Sequence, residues 1–280
     1  MKLILVTGAN GYIGSHVVRT LLDSGIEVIA ADVAGQYIDP RAERVICDIF
    51  STPPETYLGK RIPDVCLHLV SRDGFCHSSP EHLKMLPQHY GFFQQIARCG
   101  IKQLAAMGSM HEVGYFEGAI DEHTPCDPLS LYGIAKNTLR QSTALLCREH
   151  DMIFQWLRGY YIVGDDMRNN SVFTKLLSAA SRGAGEFPFV SGQKRCDFIR
   201  VEELAEQICA AVLQREVTGI INCCSGKAIP LREMAEKFIR DNKLNLRLQY
   251  GAFPDRAYDS PAVWGDDSKI RRILRGKSES

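Results

Sequence analysis

The sequence predicts an α/β fold, a doubly wound parallel sheet with a smaller C-terminal α/β lobe, and three observations predict it. The apolar run Leu3-Ile4-Leu5-Val6 leads into TGANGYIG at residues 7–14 and then into an amphipathic stretch over 16–22. Strand, glycine turn and helix in that order suit a dinucleotide: the glycines allow a tight turn and close backbone approach, and the helix N-terminus offers amides to a pyrophosphate. Apolar runs and helical patterns then alternate to about residue 157, as a sheet covered on both faces requires. Beyond residue 165 the pieces become shorter, which sets the expected domains: 1–165 binds the dinucleotide, with contributions from later segments, and 166–280 forms the substrate lobe.

In chain order, Glu27-Val28-Ile29-Ala30-Ala31 is a strand entered through Gly25 and ending at Asp32. A short strand over 44–47 ends at Asp48, Pro53-Pro54 marks a loop, and DVCLHLV at 64–70 reads as a buried parallel strand. Residues 71–79 are a loop, 81–99 a helix closed by Gly100, and 102–107 a strand that runs to Ser109. After a polar loop to Leu129 come a long helix over 132–148 and a strand over 153–157. The last third reads as helices over 170–182, 202–213, 231–240 and 268–274, with strands over 220–223 and 246–250 and extended pieces at 188–190 and 196–199.

Composition narrows the partners. The 33 basic and 33 acidic residues give a formal net charge of +0, which provides no electrostatic case for nucleic acid or an anionic membrane. The ten cysteines form no C-x-x-C pair and no zinc spacing, and most lie in apolar runs, so reduced thiols and no bound metal are expected. The chain has no basic segment followed by an apolar stretch and cleavage site, and no apolar run of about 18 residues, so the expectation is a cytoplasmic protein without membrane span.

Two further stretches carry chemistry. Asp32, at the end of the second strand, can accept both adenosine ribose hydroxyls and repels a 2′-phosphate, favouring NAD; Arg41 and Arg44 nearby keep NADP open. Tyr132-Gly133-Ile134-Ala135-Lys136 places a phenol and an ammonium on one helix face. A free phenol, pKa ~10, is a poor base at neutral pH. A nearby ammonium group lowers that value, which suits proton transfer to or from a sugar hydroxyl while hydride moves.

Taken together, TGANGYIG, Asp32, a strand ending at Ser109 and Tyr132-x-x-x-Lys136 resemble the extended short-chain dehydrogenases/reductases, the NAD-dependent epimerase/dehydratase family, over nearly the whole chain. The resemblance implies a Rossmann-type domain and a Ser109–Tyr132–Lys136 triad in which Ser109 hydrogen-bonds the reacting oxygen. It implies that Gly8, Asn10, Gly11, Tyr12, Ile13 and Gly14 line the pyrophosphate and that Asp32 holds the ribose. Asp48 and Ile49 would flank adenine, Leu69, Val70 and Ser71 would pass beneath the cofactor, and Lys136 would hold the nicotinamide ribose beside Tyr132.

A nucleotide-sugar substrate is likewise implied. Arg195 and Arg200 lie in a stretch similar to the family's R-D-[FY]-[IV]-H-V segment, with the basic residue displaced by one and Arg200 in place of histidine. Arg256 and Asp259 resemble the late R-x-G-D segment, and Tyr161 stands where an asparagine often meets the substrate diphosphate. Helices 81–99 and 132–148 resemble the pair that forms the interface of family homodimers.

Ser109-Met110-His111 narrows the reaction. Methionine cannot serve where the family's sugar 4,6-dehydratases carry an acid, and His111 could act as acid or base. The sequence therefore points to an NAD(P)-dependent oxidoreductase acting at C4 of a nucleotide-activated sugar, with a 4-ketoreductase of a 4-keto-6-deoxy sugar nucleotide ahead of a 4-epimerase holding NAD tightly. A non-catalytic NAD(P)-sensing protein on the same fold is the alternative from another class.

Overall fold

A computed structural model of the chain describes residues 2–164, 167–255 and 260–278. The elements, in order, are β1 Leu3–Thr7, α1 Tyr12–Asp23, β2 Glu27–Asp32, β3 Glu43–Ile46, α2 Pro54–Leu58, β4 Val65–His68, α3 Glu81–Arg98 and β5 Gln103–Ser109. A 3₁₀ turn, Met110–Glu112, precedes β6 Gly118–Ile120, α4 Leu131–Glu149, β7 Ile153–Gly159, β8 Tyr161–Val163 and α5 Val172–Ser181. The chain continues through β9 Glu186–Pro188, β10 Arg195–Arg200, α6 Val201–Leu213, β11 Gly219–Cys223 and β12 Ala228–Pro230. It ends with α7 Leu231–Asp241, β13 Arg247–Gln249, β14 Ala262–Gly265 and α8 Ser268–Ser278.

The main sheet is seven-stranded and parallel, in the order β11-β7-β5-β4-β1-β2-β3. The strand order reverses between β1 and β4, so a crevice opens at their carboxyl ends, where doubly wound sheets bind ligands. Alternation along β1 fills both faces. Ile4 and Val6 join α1, α6 and α8 in one core, through residues such as Val17, Leu21, Ile208 and Ile270. Leu5 faces the other core, where α3 and α4 contribute Phe92, Phe93, Ile96, Leu139 and Leu146. This two-sided burial is why the strands read as continuous apolar runs.

The strand β11 and helices α6 and α8 are the later segments that complete this sheet and its layers. The smaller lobe has its own core, with Phe173, Leu176, Phe189, Phe198 and Phe238 packed between α5, α7 and β10. Its strands β12, β10, β14 and β6 pair in that order, β8 adds to β10, and β9 pairs with β13.

Local patterns misplace only short elements. Pro53-Pro54 does not lie in a plain loop: Pro54 opens the short helix α2, because proline's missing N–H costs nothing in a first helical turn. Strands β6, β8, β12 and β14 are three or four residues long, too short to show a period of two. All ten cysteines are free thiols, six of them buried and Cys76 exposed. No helix among the described residues is long and apolar enough to cross a membrane.

Candidate active site

The glycine turn is shaped as a dinucleotide cradle. Gly8 has φ +76°, and a Cβ there would lie 2.8 Å from the Val70 amide nitrogen. A Cβ on Gly14 would lie 2.0 Å from the Gly8 carbonyl oxygen, so only glycine lets α1 start this close to β1. Gly11 caps α1 without a side-chain hydrogen bond. These features fit a bound pyrophosphate, with the backbone of residues 8–14 and the start of α1 as its bed.

Asp32, at the end of β2, accepts hydrogen bonds from the Asn10 amide at 3.0 Å and the Val33 amide at 2.7 Å. Its carboxylate is thereby fixed beside the turn, with lone pairs left for a ribose hydroxyl. Asn10 in turn accepts from the Tyr37 amide. Arg41 forks between Asp23 and Asp39, so its charge is already matched and it is not directed at a 2′-phosphate. Asp48 is exposed and its side chain accepts from the Phe50 amide, while Ile49 is buried in the α3/α4 core. Leu69 and Val70 back Gly8, and Ser71 lines a small cavity together with Tyr132 and Lys136.

The structure brings Ser109, His111, Tyr132 and Lys136 together. The Ser130 hydroxyl accepts from the Gly133 amide and caps α4, which places Tyr132 in the first turn. A Cβ on Gly133 would lie 2.2 Å from the His111 carbonyl oxygen, so this glycine lets the 109–112 turn sit directly on α4. The Ser109 hydroxyl lies beside the Tyr132 phenol, and its oxygen accepts from the His111 amide at 3.3 Å. Burial pushes the phenol up to about 12, and Ser109 pulls it back.

Lys136 differs from its expected arrangement. Its Nζ donates to the Met107 carbonyl oxygen at 2.7 Å and lies 5.9 Å from the centre of the Tyr132 ring. Here the phenol is raised rather than lowered, because burial outweighs the Ser109 contribution and the Glu112 charge adds to the rise. Burial also brings the Lys136 ammonium down to about 8, against the opposing charge of Glu112.

Glu112 carries no signal in the sequence. It is fully buried and accepts from Arg158 Nε at 2.6 Å and Trp156 Nε1 at 2.7 Å. Trp156 and Arg158 alternate on β7, so the strand grips the turn that carries Ser109 and His111. Arg158 stands in a motif-like stretch, but no local pattern pairs it with Glu112.

Two of the substrate-side arginines lie at the surface. Arg195 is exposed, donates to the Ala228 carbonyl and does not join the Tyr132 cluster. Arg200 is also exposed and pairs with Glu202 at 3.3 Å. Lys194 enters instead: its Nζ donates to the Tyr161 hydroxyl at 2.6 Å, and it lines a pocket with Met110, His111, Ser130 and Ser260. Alternation along an extended strand explains the exchange, since neighbouring residues face opposite ways. Tyr161 lies within 6.3 Å of the His111 ring, centre to centre. Arg256 and Asp259 lie outside the described residues. No cluster of metal-ligand side chains occurs among the described residues.

Behind the site, Thr7 Oγ1 and His68 Nδ1 share a 2.8 Å hydrogen bond, and His68 Nε2 and His89 Nδ1 share another of 2.8 Å. Burial, then His89 and Lys136, keep His68 well below the ordinary imidazole range. Burial, then Lys136 and Arg72, hold His89 down to about 3. An imidazole neutral in the fold but near pKa ~6.5 when unfolded stabilises the fold above that value and loses this contribution as pH falls toward the folded value. Urea midpoints are therefore expected to fall from pH 6.5 downward, and His89→Gln is expected to flatten that acid limb; equal slopes in both proteins would refute the assignment.

Parallel sheet, glycine cradle and a Ser–Tyr pair with a nearby lysine define a dinucleotide-dependent oxidoreductase of the short-chain type. The chain belongs to the NAD dependent epimerase/dehydratase family, whose model matches residues 4–224. It is 44% identical over 269 residues to dTDP-6-deoxy-L-talose 4-dehydrogenase (NAD(+)) of Aggregatibacter actinomycetemcomitans, covering 94% of this chain and 98% of that protein. It is 23% identical to a UDP-glucose 4-epimerase of Lactobacillus helveticus, over 99% of this chain and 92% of that one. The fold matches the Thermus thermophilus UDP-glucose 4-epimerase complex with NAD at a TM-score of 0.83 and 18% identity, covering 96% and 92% of the two chains.

Proposed function

We propose that the protein is an NAD-dependent oxidoreductase that interconverts a keto and a hydroxyl group at C4 of a nucleotide-activated 6-deoxy sugar. The observation that carries this reading is the Ser109 hydroxyl set beside the Tyr132 phenol at the carboxyl edge of the sheet, next to the glycine cradle. The 44% identical relative, a 4-dehydrogenase by name, supports the same carbon and the same cofactor. Met110 is buried and carries no acid, which argues against loss of water as the reaction.

A dinucleotide held by the backbone of residues 8–14 and by Asp32 would supply or accept the hydride at C4 through its nicotinamide. The chain's own residues manage the proton and the oxygen. In reduction Ser109 and Tyr132 hydrogen-bond the C4 carbonyl oxygen, and Tyr132 gives its phenolic proton to that oxygen as charge develops. In oxidation the Tyr132 phenolate takes the proton of the C4 hydroxyl, and Ser109 steadies the oxygen. Lys136 contributes its positive charge below about pH 8. Tyr161 and Lys194 present donors to the substrate from the opposite side of His111. Asp32 disfavours a 2′-phosphate, so NAD is the cofactor of choice over NADP.

The adjacent helices α3 and α4 carry the exposed apolar residues Leu83, Ile134 and Leu145, which supports a homodimer joined through them. The test uses purified protein: sedimentation for mass, denaturation to identify any released nucleotide, and assay with NADH and a 4-keto-6-deoxy sugar nucleotide. The expected result is a species of twice the chain mass that oxidises NADH in step with keto-sugar consumption. Tightly retained NAD with interconversion of C4 epimers and no net redox change would replace this reading by a 4-epimerase.

A further inference from the structure

The loop between β4 and α3 places an imidazole on the reacting tyrosine. The His77 ring stacks on the Tyr132 ring with centroids 5.2 Å apart and planes 14° from parallel. The Tyr132 amide, in the first turn of α4, donates to the His77 carbonyl oxygen at 3.0 Å, so backbone and ring are held together. The loop is braced from within: Ser79 Oγ donates to Asp73 at 2.7 Å, the Cys76 amide donates to the Asp73 carbonyl at 2.7 Å, and His82 bonds the Cys76 carbonyl at 2.9 Å. His82 also leans on Tyr132 at 5.0 Å, and His111 meets His77 at 4.2 Å.

Ser109 lies beside the phenol, and Lys136 is bonded to the Met107 carbonyl rather than to the phenol. The plane of the ring, which decides where the hydroxyl proton points, is left to its aromatic neighbours. The charged and titratable groups around Tyr132 are Lys136 on its own helix, Glu112 and His111 on the 3₁₀ turn, Arg72 and His77 on the β4–α3 loop, and His82 and His89 on α3.

We propose that His77 is a positioning residue for Tyr132: its ring, through stacking, sets the phenol plane and shields it from water. The inference rests on Tyr132 being the proton-transfer group. Stacking needs an aromatic ring rather than an imidazole proton, so the two substitutions His77→Ala and His77→Phe separate the roles. Both keep the backbone bond to Tyr132.

In His77→Ala, kcat is expected to fall about 10- to 100-fold, because small misplacement of a reacting group is costly. KM for sugar and nucleotide should stay within about two-fold, since ground-state binding is untouched. His77→Phe should keep kcat within about three-fold of wild type, since a phenyl ring of similar shape restores the stack. With [ζ-13C]tyrosine, the Tyr132 signal, assigned by its loss in Tyr132→Phe, should titrate at lower pH in His77→Ala and unchanged in His77→Phe. The inference is overturned if His77→Ala turns over normally, if His77→Phe is as impaired as His77→Ala, or if the Tyr132 titration does not move. Full activity of Tyr132→Phe would instead strike the proposed function itself.

Discussion

Replacing Tyr132 by Phe is expected to lower kcat by about 10²- to 10⁴-fold in either direction of the reaction, the range a positioned acid or base supplies. Phe keeps the ring, the stack on His77 and the helix, and removes only the hydroxyl beside Ser109. Sugar and nucleotide KM should change little, because the hydroxyl's main contribution comes as charge develops on the C4 oxygen. The pH profile adds a second check. The phenol sits at about 12, so its basic form is scarce at neutral pH and grows as pH rises. Oxidation by the wild type should therefore accelerate with rising pH, with the Lys136 charge being lost from about pH 8 upward as a counteracting influence. The residual rate of the Phe variant should lack the rise due to Tyr132. Steady-state kinetics across pH decide it, and a Phe variant with wild-type kcat would remove Tyr132 from the chemistry.

Replacing Glu112 by Ala is expected to cost about 3–5 kcal/mol of stability, the penalty of leaving one member of a buried ion pair alone. Both side chains of the pair are fully buried, with Arg158 Nε 2.6 Å from the carboxylate, and the Trp156 indole N–H would lose its acceptor as well. For a chain of this size the unfolding temperature should drop by roughly 10 °C. Arg158 and Trp156 donate to different oxygens of Glu112, so Glu112→Gln keeps an acceptor for only one of them; it still fills the space and should lose less than Glu112→Ala. The 109–112 turn would also loosen, so activity should fall with stability. Calorimetry of the two variants tests the pair, and a loss below about 1 kcal/mol would mean it behaves like an exposed one.

Much of this site can be read from short stretches. TGANGYIG at residues 7–14, Asp32 at a strand end and Tyr132 four before Lys136 are local patterns, and a strand, turn or helix is decided largely by neighbouring residues. Ser109 is legible through the family resemblance, which singles it out at the end of an apolar run. The alternation of strands and helices predicts the parallel sheet, while β11 joins its edge from the last third of the chain.

The remaining features depend on contacts between distant segments. That Lys194 rather than Arg195 meets Tyr161 is a matter of which way one residue of a short extended piece faces, and a shift of one position inverts it. Where the Lys136 ammonium points is set by the Met107 carbonyl on a neighbouring strand. The sequence by itself determined the sheet and the cradle, because both are written in local periodicity and spacing, while the Ser109–Tyr132–Lys136 group came from its resemblance to a known family. Only the tertiary structure decided that Glu112 locks the catalytic turn to Arg158 and that His77 lies on Tyr132, because burial and close packing select partners by shape and charge across the fold, not by their separation along the chain.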